Sequence, residues 1–220
     1  MKLLPRKADG ATMSDHDRRV LWRIAALLLD YPSADTFMIA GQLASAAKEL
    51  PEVLGAPVLD FLQDFSGADS LRLAMRYVET FDMRRRASLH LTYYAYGDTR
   101  KRGMALLRFK HAYRQAGMTI GDGELPDYLP LVLEFAATID QVQGERLLAE
   151  HVPVLELLRL SLEDTGSAYA GVLAAVLATL PPVNTADRRR IAELAAQGPP
   201  DEEVGLEPFM IDPLSAGERR

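Results

Sequence analysis

The side chains that most often carry out chemistry are sparse in this 220-residue chain. It has no cysteine, which removes thiolate catalysis, disulfides and cysteine metal sites together. Its histidines, His16, His90, His111 and His151, stand far apart in sequence. None has a second histidine four residues on, so the helix-borne zinc pattern is missing. No G-x-S-x-G elbow offers a serine nucleophile. The run GDGE at 121–124 is acidic and follows no strand pattern, so a turn is expected there and not a phosphate cradle. Glu202 and Glu203 lie in a Pro- and Gly-rich stretch, where nothing would raise a carboxyl pKa. The residue inventory therefore argues against an enzyme and against a resident metal or cofactor.

Binding chemistry is better represented. FDMRRRASLHLTYYAYGDTRKRG, residues 81–103, holds the triplets Arg84-Arg85-Arg86 and Arg100-Lys101-Arg102 around Tyr93, Tyr94 and Tyr96. The whole chain carries a formal net charge of −6, yet nine of its 25 Lys and Arg fall between Arg84 and Arg114. Such a stretch reads as a solvated helix pair, as a nucleic-acid surface with stacking tyrosines, or as a surface for a protein segment. The acidic balance elsewhere disfavours a dedicated nucleic-acid binder, because phosphate affinity comes mainly from Lys and Arg. That reading remains the alternative, carried by residues 84–114.

Helical periodicity dominates the elements that must position these residues. Ser14 and Asp17 form a capping pair for a helix with Val20, Leu21, Ile24, Leu27, Leu28 and Tyr31 on one face, closed by Pro32. Arg18-Arg19 ahead of apolar residues resembles a twin-arginine export signal. Arg23, Asp30 and Pro32 break that pattern, so an amphipathic helix with both arginines in water is expected. Ser33 caps a second helix. Pro51, Gly55 and Pro57 mark a break before a short third, with Val58, Phe61, Leu62 and Phe65. Leu71, Ala74, Met75, Val78 and Phe81 are expected inward on the fourth, and SLHLTYYAY is expected to be helical. Asp98 or Thr99 opens the next helix and Gly117 stops it. A loop follows over 118–128, then Pro130 in a first helical turn. Gly144 is expected to separate two helices, Pro153 to kink or split the next, and Thr185 to cap the last.

The result is an all-α, single-domain bundle of about nine helices over residues 14–197. Residues 1–13 and the acidic, Pro-rich 198–220 are expected to be mobile ends. The hydrophobic share of 48% supports a full core. No apolar run reaches the roughly 18–20 residues that span a bilayer, so no stable membrane insertion is expected.

YVETFDMRRRASLHLTYYAYGDTRKRGMALLRFKHAYRQAG followed by ELPDYLPLVLEFAA, and the L-L-x-YP pattern at Leu28–Pro32, resemble the delta-subunit family of respiratory nitrate reductase. This family belongs to the TorD/DmsD-like redox-enzyme maturation chaperones. Tyr128 is a departure, since many members carry histidine there. The resemblance implies a TorD-like helical fold, a cytoplasmic location and no catalysis. It implies a monomer or homodimer serving nitrate respiration and assimilation. Its partner would be the N-terminal segment of the apo catalytic alpha subunit. The chaperone would hold that unfolded client competent for molybdenum-cofactor and iron–sulfur insertion before membrane docking, without joining the finished enzyme. On that basis Tyr77, Phe81, Tyr93, Tyr94 and Tyr128 are expected to line or support a client groove. Glu79, Asp82, Glu124 and Asp127 would meet client cations, and Arg84, Arg85 and Arg86 the client body. Asp98 and Arg100 would fix the neighbouring helix. ELPDYLP would form a rigid helix entrance, with Asp127 as cap and Leu125 and Leu129 as staples.

Overall fold

The computed structural model describes residues 13–67, 69–96, 100–121 and 123–198. Among them the chain forms eleven α-helices and no strand. They are α1 (Asp15–Leu29), α2 (Ala34–Lys48), α3 (Glu52–Ser66), α4 (Ser70–Tyr77), α5 (Tyr93–Tyr96), α6 (Arg100–Gln115), α7 (Leu129–Thr138), α8 (Gln141–Glu150), α9 (Val152–Asp164), α10 (Tyr169–Ala178) and α11 (Thr185–Gln197). The count exceeds the expected nine partly because Pro153 splits rather than kinks its helix. Pro153 sits in the first turn of α9, where the missing amide costs nothing.

The α1 helix is central. Its Ser14–Asp17 capping box is present, with the Asp17 amide 3.1 Å from Ser14 Oγ. Leu21, Trp22, Ile24, Ala25, Ala26, Leu28 and Leu29 are all buried, a wider face than one stripe, because α7 and α10 both pack on it. Trp22 donates from Nε1 to Thr179 Oγ1 at 2.9 Å inside this core. Thr179→Val leaves that indole donor without a partner. The expected loss is about 1–3 kcal/mol, read as a shift of the urea midpoint at constant slope. Arg18 and Arg19 do not simply face water. Arg18 pairs with Glu145 at 2.9 Å, and Arg19 Nε donates to the Ala137 carbonyl at 2.7 Å, fastening α1 to α7 and α8.

Several local expectations are corrected by tertiary contacts. Gly55 lies inside α3, where a Cβ would stand 2.3 Å from the Ala47 carbonyl oxygen, so it marks a close approach of α2 and not a break. Gly144 lies inside α8 for a similar reason: a Cβ would stand 2.4 Å from Ala136 Cα on α7. The α7–α8 break falls instead at Asp140, whose side chain accepts from the Gln143 amide at 2.9 Å. Gly144→Ala should destabilise by about 1–3 kcal/mol through forced separation of the helices, despite alanine's better helix propensity. A thermal melt reads that loss directly. The last helix is capped by Asn184 with Asp187, not by Thr185. On α4 the inward residues are Leu73 and Tyr77, while Leu71 and Met75 are 66% and 56% exposed.

SLHLTYYAY is not one helix. A 3₁₀ turn at Arg85–Ala87 precedes it, His90 makes an isolated antiparallel bridge with Tyr128, and only Tyr93–Tyr96 is α-helical. Asp98, expected as the cap of α6, lies outside the described residues. So do 1–12 and 199–220, most of the two expected mobile ends. Arg100 is the first residue of α6 and is exposed.

Candidate client-binding groove

The site is built on the crossing of two loops. The segment 88–92 runs antiparallel to 126–129, held by Leu91 N to Asp127 O at 3.0 Å and Leu129 N to Leu89 O at 2.9 Å. Tyr113 of α6 donates to the Pro126 carbonyl at 2.7 Å and fixes the loop from behind. This pairing explains the β-branched and aromatic content of SLHLTYYAY: part of it is extended, although too briefly to form a strand.

Asp127 is the buried hub of the crossing. It has no exposed surface and caps nothing; the residue at the start of α7 is Tyr128. Its Oδ2 accepts from Thr92 Oγ1 at 2.6 Å and from the Thr92 amide at 3.0 Å. His90 Nδ1 lies 3.4 Å from Oδ1, and Arg102 Nη2 lies 3.7 Å from Oδ2. Burial alone would push this carboxyl up. The contacts from His90 and Thr92 outweigh it and hold the group below the usual carboxylate range.

Tyr128 points the other way. Its hydroxyl lies 3.0 Å from Asp30 Oδ1, to which it donates, and 3.0 Å from the Tyr77 hydroxyl, which itself reaches the Leu29 carbonyl at 3.1 Å. Burial pushes both phenols above their ordinary range, so both stay neutral donors at physiological pH. This network ties the YP end of α1 to the loop and to α4.

His90 and Tyr128 form a ridge between two concave lobes. The near lobe, about 610 Å³, is walled by Arg23 and Leu27 of α1 and its C-cap Asp30, Glu124 and Leu125 of the loop, and Leu131 and Glu134 of α7. The far lobe, about 290 Å³, is walled by Tyr31, Tyr77, Phe81, Asp82 and Leu89. Asp82 reaches it because Val78–Asp82 is a π turn, closed by Met83 N to Val78 O at 3.0 Å. In that wider turn the residue five places on returns to the same side, so Tyr77, Phe81 and Asp82 share one wall. Apolar floors with acids at the rim suit a segment that combines greasy anchors with cations. Among the described residues no cluster of three or more His, Asp or Glu could hold a metal.

Comparison with known proteins identifies the family. The family model for the nitrate reductase delta subunit matches residues 40–175. The chain belongs to the nitrate reductase delta-subunit family. Within curated sequences it is 42% identical over 165 residues to the nitrate reductase-like protein NarX of Mycobacterium tuberculosis. That match covers 73% of this chain but only 24% of NarX. It is 35% identical over 177 residues to the nitrate reductase molybdenum cofactor assembly chaperone NarJ of Escherichia coli, covering 79% of this chain and 74% of that one. A crystal structure from Archaeoglobus fulgidus, provisionally described as a redox enzyme maturation protein, superposes with a TM-score of 0.55. At 19% identity, over 79% of this chain and 96% of that one, it supports the all-α fold alone.

In this delta-subunit-family chain the residues expected at the site divide into three groups. Tyr77, Phe81, Asp82, Glu124 and Tyr128 border the two lobes. Asp127 lies behind them as scaffold. Tyr93 and Tyr94 are elsewhere: Tyr93 lies beneath Arg102, 5.7 Å from the ring centroid, and Tyr94 packs with Val154, Leu157, Ile191 and Leu194. The Tyr94 hydroxyl donates to the Arg86 carbonyl at 2.9 Å, and burial raises it to about 12. Arg84, Arg85 and Arg86 are exposed on a separate stretch, and Glu79 is exposed outside both lobes. Asp30 and Glu134 were not anticipated. Asp30 could have been suspected from its place beside the YP pattern; Glu134 carried no local signal. The basic face of α6 exposes Arg100, Lys101, Lys110 and Arg114, but its two aromatics, Phe109 and Tyr113, are buried. That face exposes no phenyl or phenol ring for stacking on a base; the ring it does expose is the His111 imidazole.

Proposed function

We propose that this chain is a system-specific chaperone that binds the N-terminal segment of the apo nitrate reductase alpha subunit in the two-lobed groove. It holds that segment while molybdenum cofactor and an iron–sulfur cluster are inserted, then releases it before the enzyme docks on its membrane anchor. It performs no catalysis of its own and acts in the cytoplasm, where apo client is made. Family membership supports the role, and the observation that carries the binding mode is the acid-rimmed apolar groove around Tyr128. An amphipathic helix laid across the ridge would place apolar anchors in the lobes and cations near Asp30, Asp82 and Glu124. Each buried anchor contributes roughly 1.5–3 kcal/mol, set against an association cost of about 4–15 kcal/mol. The net is modest and suits a partner that must leave.

Asp30→Lys with Glu124→Lys reverses two rim charges. Isothermal titration with the client's N-terminal peptide should show affinity falling at least about tenfold, with the remaining binding less sensitive to salt. Circular dichroism should be unchanged, since neither carboxylate is in the core. Undiminished affinity in that folded variant would remove the groove from the mechanism.

A further inference from the structure

Helix α6 concentrates charge away from the groove. Its 16 residues include six Lys and Arg and no acid. Two of the six are engaged inside the fold: Arg102 turns in toward Asp127, and Arg108 pairs with Glu150. Lys101 and Lys110 are exposed and form no ion pair among the described residues. No α6 residue borders either lobe.

The outer side of this helix has a pattern of its own. Arg102, Phe109, Ala112 and Tyr113 are buried. Opposite them stand Arg100, Met104, Leu107, His111 and Arg114, at steps of four, three, four and three. That is the spacing with which one helix seats against another. Met104 and Leu107, at the centre, are 71% and 54% exposed. The positions flanking such a seam hold Lys101 and Arg108 on one side and Gly103 and Lys110 on the other. Glycine inside a helix weakens it. Gly55 and Gly144 are required by close neighbours, but a Cβ at Gly103 would meet nothing within 4 Å among the described residues. What Gly103 does provide is a notch beside Leu107, one turn on, where a second backbone or side chain can come close to α6.

We propose that the outer face of α6 is a second docking surface, and that it takes an amphipathic helix of another protein whose apolar seam is flanked by Asp and Glu. Flanking charges decide which helices pair. A second copy of this chain would set Lys and Arg against Lys and Arg. A nucleic acid would leave Met104 and Leu107 idle at the centre of the contact and gives Gly103 no role. A bilayer takes a broad apolar face, whereas here two apolar residues lie between cations. The contact runs about 20 Å from Arg100 to Arg114 and rests on two apolar anchors, so it is weak and reversible. It lies apart from the groove, and both can be filled at once.

The test titrates the full chain with a synthetic helical peptide of about three heptads, leucine in the seam and Glu at the flanks. The control is the same peptide with Lys for Glu. Isothermal titration should show micromolar binding of the Glu peptide and none of the Lys peptide. Met104→Ser with Leu107→Ser should weaken binding at least about tenfold, and Gly103→Leu likewise. Gly103→Leu should melt no lower than the wild type, since leucine is the better helix former; a merely structural glycine would move the melt instead. The N-terminal peptide of the alpha subunit should bind all these chains alike. No binding of the Glu peptide to the wild type, or equal binding by the folded variants, overturns the proposal. A sedimenting dimer abolished by Met104→Ser with Leu107→Ser also overturns it, by naming a second copy. Binding to duplex DNA or phosphatidylglycerol vesicles that survives those two changes and is lost with Lys101→Glu and Lys110→Glu overturns it in favour of a polyanion. Loss of the alpha-subunit peptide in the α6 variants overturns the separation from the groove.

Discussion

Asp127→Ala is expected to lower the melting temperature by about 6–20 °C. The carboxylate stands beside Arg102, Thr92 and His90 in the crossing, and it accepts both the Thr92 amide and hydroxyl. Removing one partner from a buried charged cluster costs about 3–5 kcal/mol, because its ion pairing and hydrogen bonds go while the rest of the cluster stays buried. For a domain of this size each kcal/mol moves the midpoint by about 2–4 °C. Acid modulates the effect in a defined direction. The folded carboxyl titrates below its ordinary value, so its contribution is fully present above the unfolded pKa near 3.9. It is lost only as pH falls through the still lower folded pKa. Wild type and variant should therefore differ by a constant amount from pH 7 to about pH 5 and converge below about pH 4. A constant difference down to pH 2 would assign the loss to packing and not to charge.

The second large effect is expected at the buried pair on α9. Arg159 donates from Nε to Glu156 Oε2 at 2.9 Å and from Nη2 to Oε1 at 2.8 Å, a two-pronged contact with Glu156 wholly buried. A further contact joins Arg159 to Glu163. Glu156→Ala removes the two-pronged, wholly buried partner of the Arg159 guanidinium, again at about 3–5 kcal/mol. Glu156→Met with Arg159→Met should recover most of that loss, because removing both charges also removes their desolvation penalty. If the double variant melts lower than the single, the pair is stabilising in its own right. Urea unfolding of the three chains separates these outcomes.

Much of the bundle was legible because its signals are local. Ser14 with Asp17, Ser33 and Pro153 set boundaries through groups within four residues of themselves. The groove was less legible because its walls come from α1, α4, the loop before α7 and α7 itself, elements up to about a hundred positions apart. Asp127 looks like a cap beside Pro126 and Pro130, and only Thr92, 35 positions away, reveals it as a hub. Tyr94 has the composition of an interface anchor, but α9 and α11 cover it. On α4, two apolar faces competed at helical spacing. Tyr77 decided between them through its bond to the Leu29 carbonyl, which a helical wheel does not contain.

The π turn at Val78–Asp82 has a counterintuitive consequence for how this sequence can change. Substitutions there that let the same residues wind into a regular α-helix would gain ordinary hydrogen bonding. At about 100° per residue, Asp82 would then stand roughly 140° round the axis from Tyr77, carrying the acid away from the two rings. At this place the chain with the better helix would be the worse binder, so an irregular turn is the form that recognition would preserve.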